Sequence, residues 1–365
     1  MNGIKVNYIS IGQFGTFNHI YQMAGRLLFK NISVGYFGIA EGSKARVLPT
    51  LKVYEVNGES SSSYKRGPLR DRLHLLKLLF SKRHLINDSD TVNVVTYFPG
   101  CSIILLFFRN SVLDVRTLSV HPKWHIRYLF DFLLNFESFL CANITVLSEG
   151  MQSKFFYKKN ITVVPLGGPR FSFQEKSNRK MKVLYVGTLK NRNILSTVEA
   201  FHKFLIQNPG RPASYDIVAR GDSYQEGLIL KYINKHALDD NVTFHGEVNF
   251  PELTAYYMAA NIGLSYIPIT SYYDDQPPTK TFEYLLAGMY VIATATSENR
   301  RVINSGNGCL VGDGVEDIAK AFLFTATTLS SIDNFAIHKN SEKYSWDAII
   351  QNDLLPLLNR IKARS

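Results

Sequence analysis

Cysteine is scarce: Cys101, Cys141 and Cys309 are the whole complement of a 365-residue chain. They are odd in number, scattered and without metal-ligand spacing. That excludes a disulfide framework or a zinc module and fits reduced core thiols in a cytoplasmic protein. Long apolar runs are missing too. A membrane-spanning helix needs about 18 apolar residues, and the best stretch, Ser102 through Phe108, is stopped by Arg109. It predicts a core helix or strand. The N-terminus shows no signal-peptide pattern, because residues 4–11 read as a strand and no small-residue cleavage site follows. Acidic residues are in deficit, with 30 Asp and Glu against 41 Lys and Arg and a net charge of +11. Zinc spacing, an RNA-binding aromatic signature and a sustained Arg-rich helix are all lacking, so the excess does not read as nucleic-acid binding. It suits anionic lipid head groups or phosphorylated substrates. Gly12 and Gly15 lack the Gly-x-Gly-x-x-Gly spacing, which argues against a nicotinamide-dependent dehydrogenase.

What is present is core-forming sequence. Hydrophobic residues make up 45% of the chain, ample for two domains rather than one. Residues 4–11 predict a strand, Gly12 and Gly15 a loop, Asn18 to Lys30 a helix and Ser33 to Ile39 a second strand. That order opens a doubly wound α/β domain. Further strands are expected at 92–97, 112–116, 143–148 and 161–165, with an apolar helix at 124–139. Residues 169–180 are polar and aperiodic and read as an interdomain linker. A second series follows, with strands at 182–186, 213–219, 242–244, 262–266, 290–293 and 309–311. Helices are expected at about 195–207, 223–237, 251–259, 279–287 and 315–327. Two α/β domains, 1–170 and 171–365, result. The densest basic region, 65–83, runs from Lys65-Arg66 to Lys82-Arg83 after a polar loop at Ser60 to Ser63. Its apolar stripe (Leu73, Leu75, Leu76, Leu78, Leu79, Phe80) makes a basic amphipathic helix of the kind that docks on membranes.

The most informative stretch is 277–294. Pro277 and Pro278 suit a helix entry, where a missing N–H costs nothing. Phe282, Leu285 and Leu286 fall on one helical face. Gly288 suits a left-handed residue just past the helix end, and Val291-Ile292-Ala293 reads as a buried strand. The free N–H groups of such a helix start can hold an anion. Lys280 stands in a first turn that ordinarily favours acids, which makes sense with a phosphate beside it.

Several segments, in chain order, resemble the donor half of the GT-B fold, family-4-type retaining glycosyltransferases, which use nucleotide sugars. They are Tyr185-Val186-Gly187-Thr188-Leu189 with Arg192-Asn193; Val242 to Val248 with Pro251-Glu252-Leu253 and Tyr256-Tyr257; Ala259 to Leu264; and Pro278-Thr279-Lys280 with Glu283-Tyr284, Ala287-Gly288 and Val291 to Thr294. Weaker echoes are Asp114-Val115-Arg116, Ser148 to Met151, Val164 to Gly168, and Trp346. The resemblance implies an α/β chain with two Rossmann-like domains facing a central cleft, and a C-terminal helix returning to the N-terminal domain. It implies a UDP- or GDP-sugar donor, no required cofactor, no metal, and a glycan or lipid-linked acceptor in surface polysaccharide synthesis. The expected location is cytoplasmic and peripheral at the inner membrane face through 65–83. A non-catalytic glycosyltransferase-like subunit is the alternative.

For the leaving diphosphate of such a donor, Arg192 is the first choice, because a guanidinium forks onto phosphate oxygens, with Lys190 and Lys280 as alternatives and the N–H groups around Pro278 and Thr279 assisting; the other roles follow from the resemblance. Glu283 accepts ribose hydroxyls. Asp275 contacts the donor sugar, and His121 approaches it from the first domain. Gly12, Gly15 and Gly187 permit close backbone approach, and His245-Gly246-Glu247 lines the base pocket. The chain departs from the family in two places. The usual pair of glutamates is Asp275 and Glu283, and the places of the usual Arg and Lys after Gly187 hold Thr188 and Asn193.

Overall fold

A computed structural model describes residues 3–40, 46–57, 69–157 and 160–364. The serine run at 60–63 and the Lys65-Arg66 end of the basic region lie outside the described residues.

The first sheet contains β1 (Lys5–Ile9), β2 (Ser33–Ala40), β3 (Lys52–Asn57), β4 (Thr91–Thr96), β5 (Ser111–Val115), β6 (Ile144–Val146) and β7 (Ile161–Val163). Its order is β3-β2-β1-β4-β5-β6-β7, and every pairing is parallel. The second contains β8 (Met181–Thr188), β9 (Ala213–Arg220), β10 (Val242–Gly246), β11 (Ile262–Ser265), β12 (Tyr290–Thr294) and β13 (Gly308–Val311). Its order is β10-β9-β8-β11-β12-β13, again all parallel. Parallel strands are covered on both faces, which is why β12 is apolar and buried throughout. In each sheet the order reverses once, between β1 and β4 and between β8 and β11. Beyond the carboxyl ends of strands at such a reversal, α/β proteins bind ligands.

The expected helices form, including Leu195–Gln207, Thr279–Leu286 and Val315–Thr328. The Ser102 stretch resolves as a helix, Ser102–Phe107. β3 is not foreseen from the sequence. It is an edge strand with a single partner, and Lys52, Glu55 and Asn57 interrupt its apolar pattern.

The chain divides into Met1–Leu166 with Trp346–Ser365, and Gly167–Ser345, rather than at 170/171 with everything later in the second domain. The physical reason is core composition. Trp346, Ile350, Leu357 and Leu358 are buried with Val6, Tyr8 and Val94 on one face of the first sheet. The closing helix widens to a π turn at Ile350–Leu354, directly ahead of Pro356, whose ring crowds the preceding turn. The segment 169–180 is likewise no solvated linker, because it is pinned inside the second unit. The Lys176 ammonium donates to the carbonyls of Tyr257 at 2.9 Å and Met258 at 3.1 Å, and burial lowers its pKa to about 8. Asn178 Nδ2 donates to Ile332 O at 3.1 Å and Asn334 Oδ1 at 2.8 Å.

Candidate active site

The site in the second unit is built around helix Thr279–Leu286. Its stop is set by Gly288 at φ +73°, with Gly288 N–H bonded to Leu285 O at 2.9 Å and Met289 N–H to Tyr284 O at 3.0 Å. This Schellman closure needs a residue without a Cβ clash. The helix is stapled to the sheet in two ways. Tyr284 Oη accepts the Val186 N–H from β8 at 2.8 Å. Its ring lies against Gly263 of β11, where a Cβ would come within 2.3 Å of Tyr284 Cγ. Thr281 Oγ1 adds bonds to Ser265 Oγ at 2.7 Å and Asn299 Oδ1 at 2.9 Å. The first turn of the helix is therefore fixed at the ends of β8 and β11, the reversal point of the sheet.

Two cations gather there on aromatic faces. Lys280 Nζ lies 4.0 Å from the Tyr185 ring centroid and donates one long bond, 3.4 Å, to Tyr266 O. It would stand 3.2 Å from a Cβ at Gly187, so any side chain at that position crowds the ammonium. Arg192 sits between Asn191 and Asn193, both left-handed with φ +57° and +49°. Its guanidinium carbon lies 4.1 Å from the Tyr273 ring centroid, and its Nη1 is buried without a hydrogen-bond partner among the described residues. Burial, reinforced by the Arg192 charge, holds the Lys280 pKa well below the usual lysine range, against the pull of Glu283. The Glu283 carboxylate accepts the Tyr257 hydroxyl at 2.6 Å. Burial raises its pKa, while Tyr257 and Lys280 oppose that rise. An unpaired, desolvated positive pair beside free helix N–H groups is a receptor for an anion.

Residues 180–327 match the family described as glycosyl transferases group 1. The chain has the GT-B fold. Three solved structures share its fold. Sucrose-phosphate synthase from Thermosynechococcus elongatus has a TM-score of 0.78 at 18% identity, covering 99% of this chain and 100% of its own. Anabaena HepE in complex with UDP has a TM-score of 0.68 at 12% identity, covering 98% and 100%. The pneumococcal O-GlcNAc transferase GtfA in complex with UDP and GlcNAc has a TM-score of 0.71 at 10% identity, covering 99% of both chains. No curated protein is matched.

On this fold, Gly187, Arg192, Pro278, Thr279, Lys280 and Glu283 are brought together on one end of the second sheet. Lys190 is exposed on the same loop as Arg192. Asp275 is half-buried in the loop before Pro277. Its neighbour Asp274 fastens that loop, accepting both the N–H (2.8 Å) and the hydroxyl (2.5 Å) of Ser297. His245 is the penultimate residue of β10, held by Asp216 Oδ1 at 2.7 Å and the Tyr256 hydroxyl at 3.2 Å. Gly246 follows at φ +69°, and Glu247 pairs with Arg220 at 3.5 Å on the surface. Gly12, Gly15 (φ +87°) and His121 belong to the first unit. His121 Nδ1 accepts the Lys123 N–H at 3.1 Å, ahead of helix Trp124–Phe139, which contains His125.

The sequence assigns no role to Tyr185, Tyr257 or Tyr273, although Tyr185 and Tyr257 lie in the segments that carry the resemblance. Only the spatial pairing with Lys280, Glu283 and Arg192 distinguishes them. Among the described residues no group of three His, Cys, Asp or Glu side chains is placed to hold a metal ion. No helix there is long and apolar enough to cross a membrane.

Proposed function

We propose that the chain is a family-4-type enzyme that moves a sugar from a UDP- or GDP-sugar to a glycan or lipid-linked oligosaccharide. The transfer retains the anomeric configuration and is one step in building a surface polysaccharide. The donor half of this reading is carried by one observation: Lys280 and Arg192 rest on aromatic rings, and neither forms an ion pair among the described residues. As the bond from the anomeric carbon to the diphosphate breaks, negative charge grows on the leaving oxygens. Fixed cations and the N–H groups of Thr279 and Lys280 stabilise that charge without reorganising. Lys280 is poorly solvated in the free protein and gains most from the arrival of the diphosphate. Glu283, oriented by Tyr257, accepts the ribose hydroxyls, and Asp275 takes hydroxyls of the sugar. His121 contributes from the first unit, Gly12 and Gly15 admit the donor closely, and His245-Gly246-Glu247 borders the base. The leaving phosphate receives the acceptor's proton on the same face.

Two structures of the same fold hold UDP, which favours the uridine donor. The net charge of +11 and the basic helix Leu69–Ser81 suit a lipid-linked acceptor at the cytoplasmic face of a membrane. Thermal-shift titration with UDP, GDP and their sugars tests the donor. Wild type gains several degrees with one nucleotide and Arg192→Ala with none. A wild-type protein indifferent to every nucleotide rules the reading out. NMR of the product's anomeric proton decides retention.

A further inference from the structure

A surface helix ordinarily turns its charged face to water. Trp124–Phe139 does the reverse. His125 aside, every fully exposed residue on it is large and apolar: Trp124, Tyr128, Leu129, Phe132, Phe136 and Phe139. Their exposures run from 46% at Phe132 to 71% at Trp124. At about 100° per residue they occupy about 140° of arc, opposite the buried Leu134 and Glu137. Glu137 holds this orientation, because its carboxylate accepts the N–H groups of Gly100 at 2.8 and 2.9 Å and of Ser102 at 3.3 Å. That ties the helix to Ser102–Phe107, whose Leu106 and Phe107 are also exposed, at 62% and 61%. Apolar surface this extensive marks an interaction face rather than the scatter of a water-exposed one.

Its surroundings say what covers it. Exposed Lys123 and Arg109 stand beside the two helices, and exposed Lys154 lies near Asp131. Trp124 and Tyr128 have the amphipathic rings that settle at a head-group boundary, and Phe132, Phe136 and Leu129 suit the acyl edge below it. We infer that this face seats the first unit on an anionic bilayer, rings in the interface and lysines against lipid phosphates. The surface adjoins the basic stretch at 65–83, whose Phe80 ring lies 5.6 Å from that of Phe107, and extends the membrane contact proposed there onto a second helix. The inference rests on the first unit alone, so it stands or falls independently of the donor chemistry.

The chain carries its own reporter. Of its two tryptophans, Trp346 is 1% exposed and Trp124 is 71% exposed, so an emission change on binding belongs to Trp124. The full chain is mixed with vesicles of phosphatidylethanolamine and phosphatidylglycerol, and separately with phosphatidylcholine alone. Wild type co-sediments with the anionic vesicles and its emission moves to the blue. A Tyr128→Ser, Leu129→Ser, Phe136→Ser variant keeps its melting temperature, since all three side chains are more than half exposed, and partitions at least about tenfold more weakly. The inference is overturned if wild type stays in the supernatant with both vesicles. It is overturned if the triple variant binds as wild type does. It is also overturned if wild type shows no vesicle binding but a dimer in sedimentation velocity that the variant loses, since the face then meets a second copy of the chain.

Discussion

Lys280 and Arg192 are where single atoms decide the most. Lys280→Met removes a charge that burial already disfavours, so the fold tolerates it while donor turnover suffers. We expect kcat/KM for the nucleotide sugar to fall by about 10²- to 10³-fold in Lys280→Met and in Arg192→Ala, with unchanged circular dichroism. Binding also carries a proton signature. A bound diphosphate restores the Lys280 pKa towards 10.5, above its lowered value in the free protein, so the site takes up a proton between those two values. Nucleotide affinity weakens as pH rises through that window, and calorimetry in two buffers of different ionisation enthalpy reads the uptake. Tyr257→Phe tests a subtler role. It removes the 2.6 Å bond to Glu283 but little volume, and the donor KM should rise about tenfold. Glu283→Gln should restore none of that loss. Lys280 and Glu283 are legible in the sequence because they sit at fixed offsets in a short helix. Tyr257 is not, because its partner lies 26 residues away and an aromatic beside an apolar run looks like core.

At the level of elements, Gly288 carries the clearest expectation. Its φ of +73° and the Asn334 carbonyl, 2.9 Å from where a Cβ would sit, leave no room for alanine. Gly288→Ala should cost about 1–3 kcal/mol in urea unfolding of the second unit. Loss of stability without loss of nucleotide specificity would separate this role from the binding one. The helix and its stop are readable because three independent signals coincide: prolines at entry, apolar spacing within, and glycine after. The polar segment at 169–180 misleads for an equally physical reason. Lys176 and Asn178 make their bonds to backbone carbonyls far along the chain, and no local pattern encodes a carbonyl. β3 escapes notice because an edge strand needs only one paired side and can keep polar residues.

Across the whole molecule, alkaline pH is the expected weakness. The three cysteines are free thiols. Burial raises all three, with Cys141 reaching about 12 and Cys309 about 11 against an unperturbed 9.0. With folded values above unfolded ones, their contribution is intact below pH 9. It is lost as pH rises through 11–12, because only the unfolded chain can ionise. Each protected thiol adds a slope of ~1.4 kcal/mol per pH unit, less for half-buried Cys141. Lys176, from about 8, and the lowered Lys280 act in the opposite sense up to 10.5, but they are two groups against three. Stability measured by denaturant should decline above pH 9, and Cys309→Ser should flatten the decline.

The division of the chain has a consequence for its birth. The second unit is an uninterrupted stretch, Gly167–Ser345, set inside the first, whose final segment is Trp346–Ser365. Domains form as their residues leave the ribosome. The inserted unit can close as soon as its own residues have emerged. The earlier-made sheet, with Val6, Tyr8 and Val94 waiting for Trp346 and Leu358, stays unsealed until residues 346–361 have emerged. The unit begun first is completed after the one inserted in it, and its uncovered strands are what a chaperone must shelter in the interval.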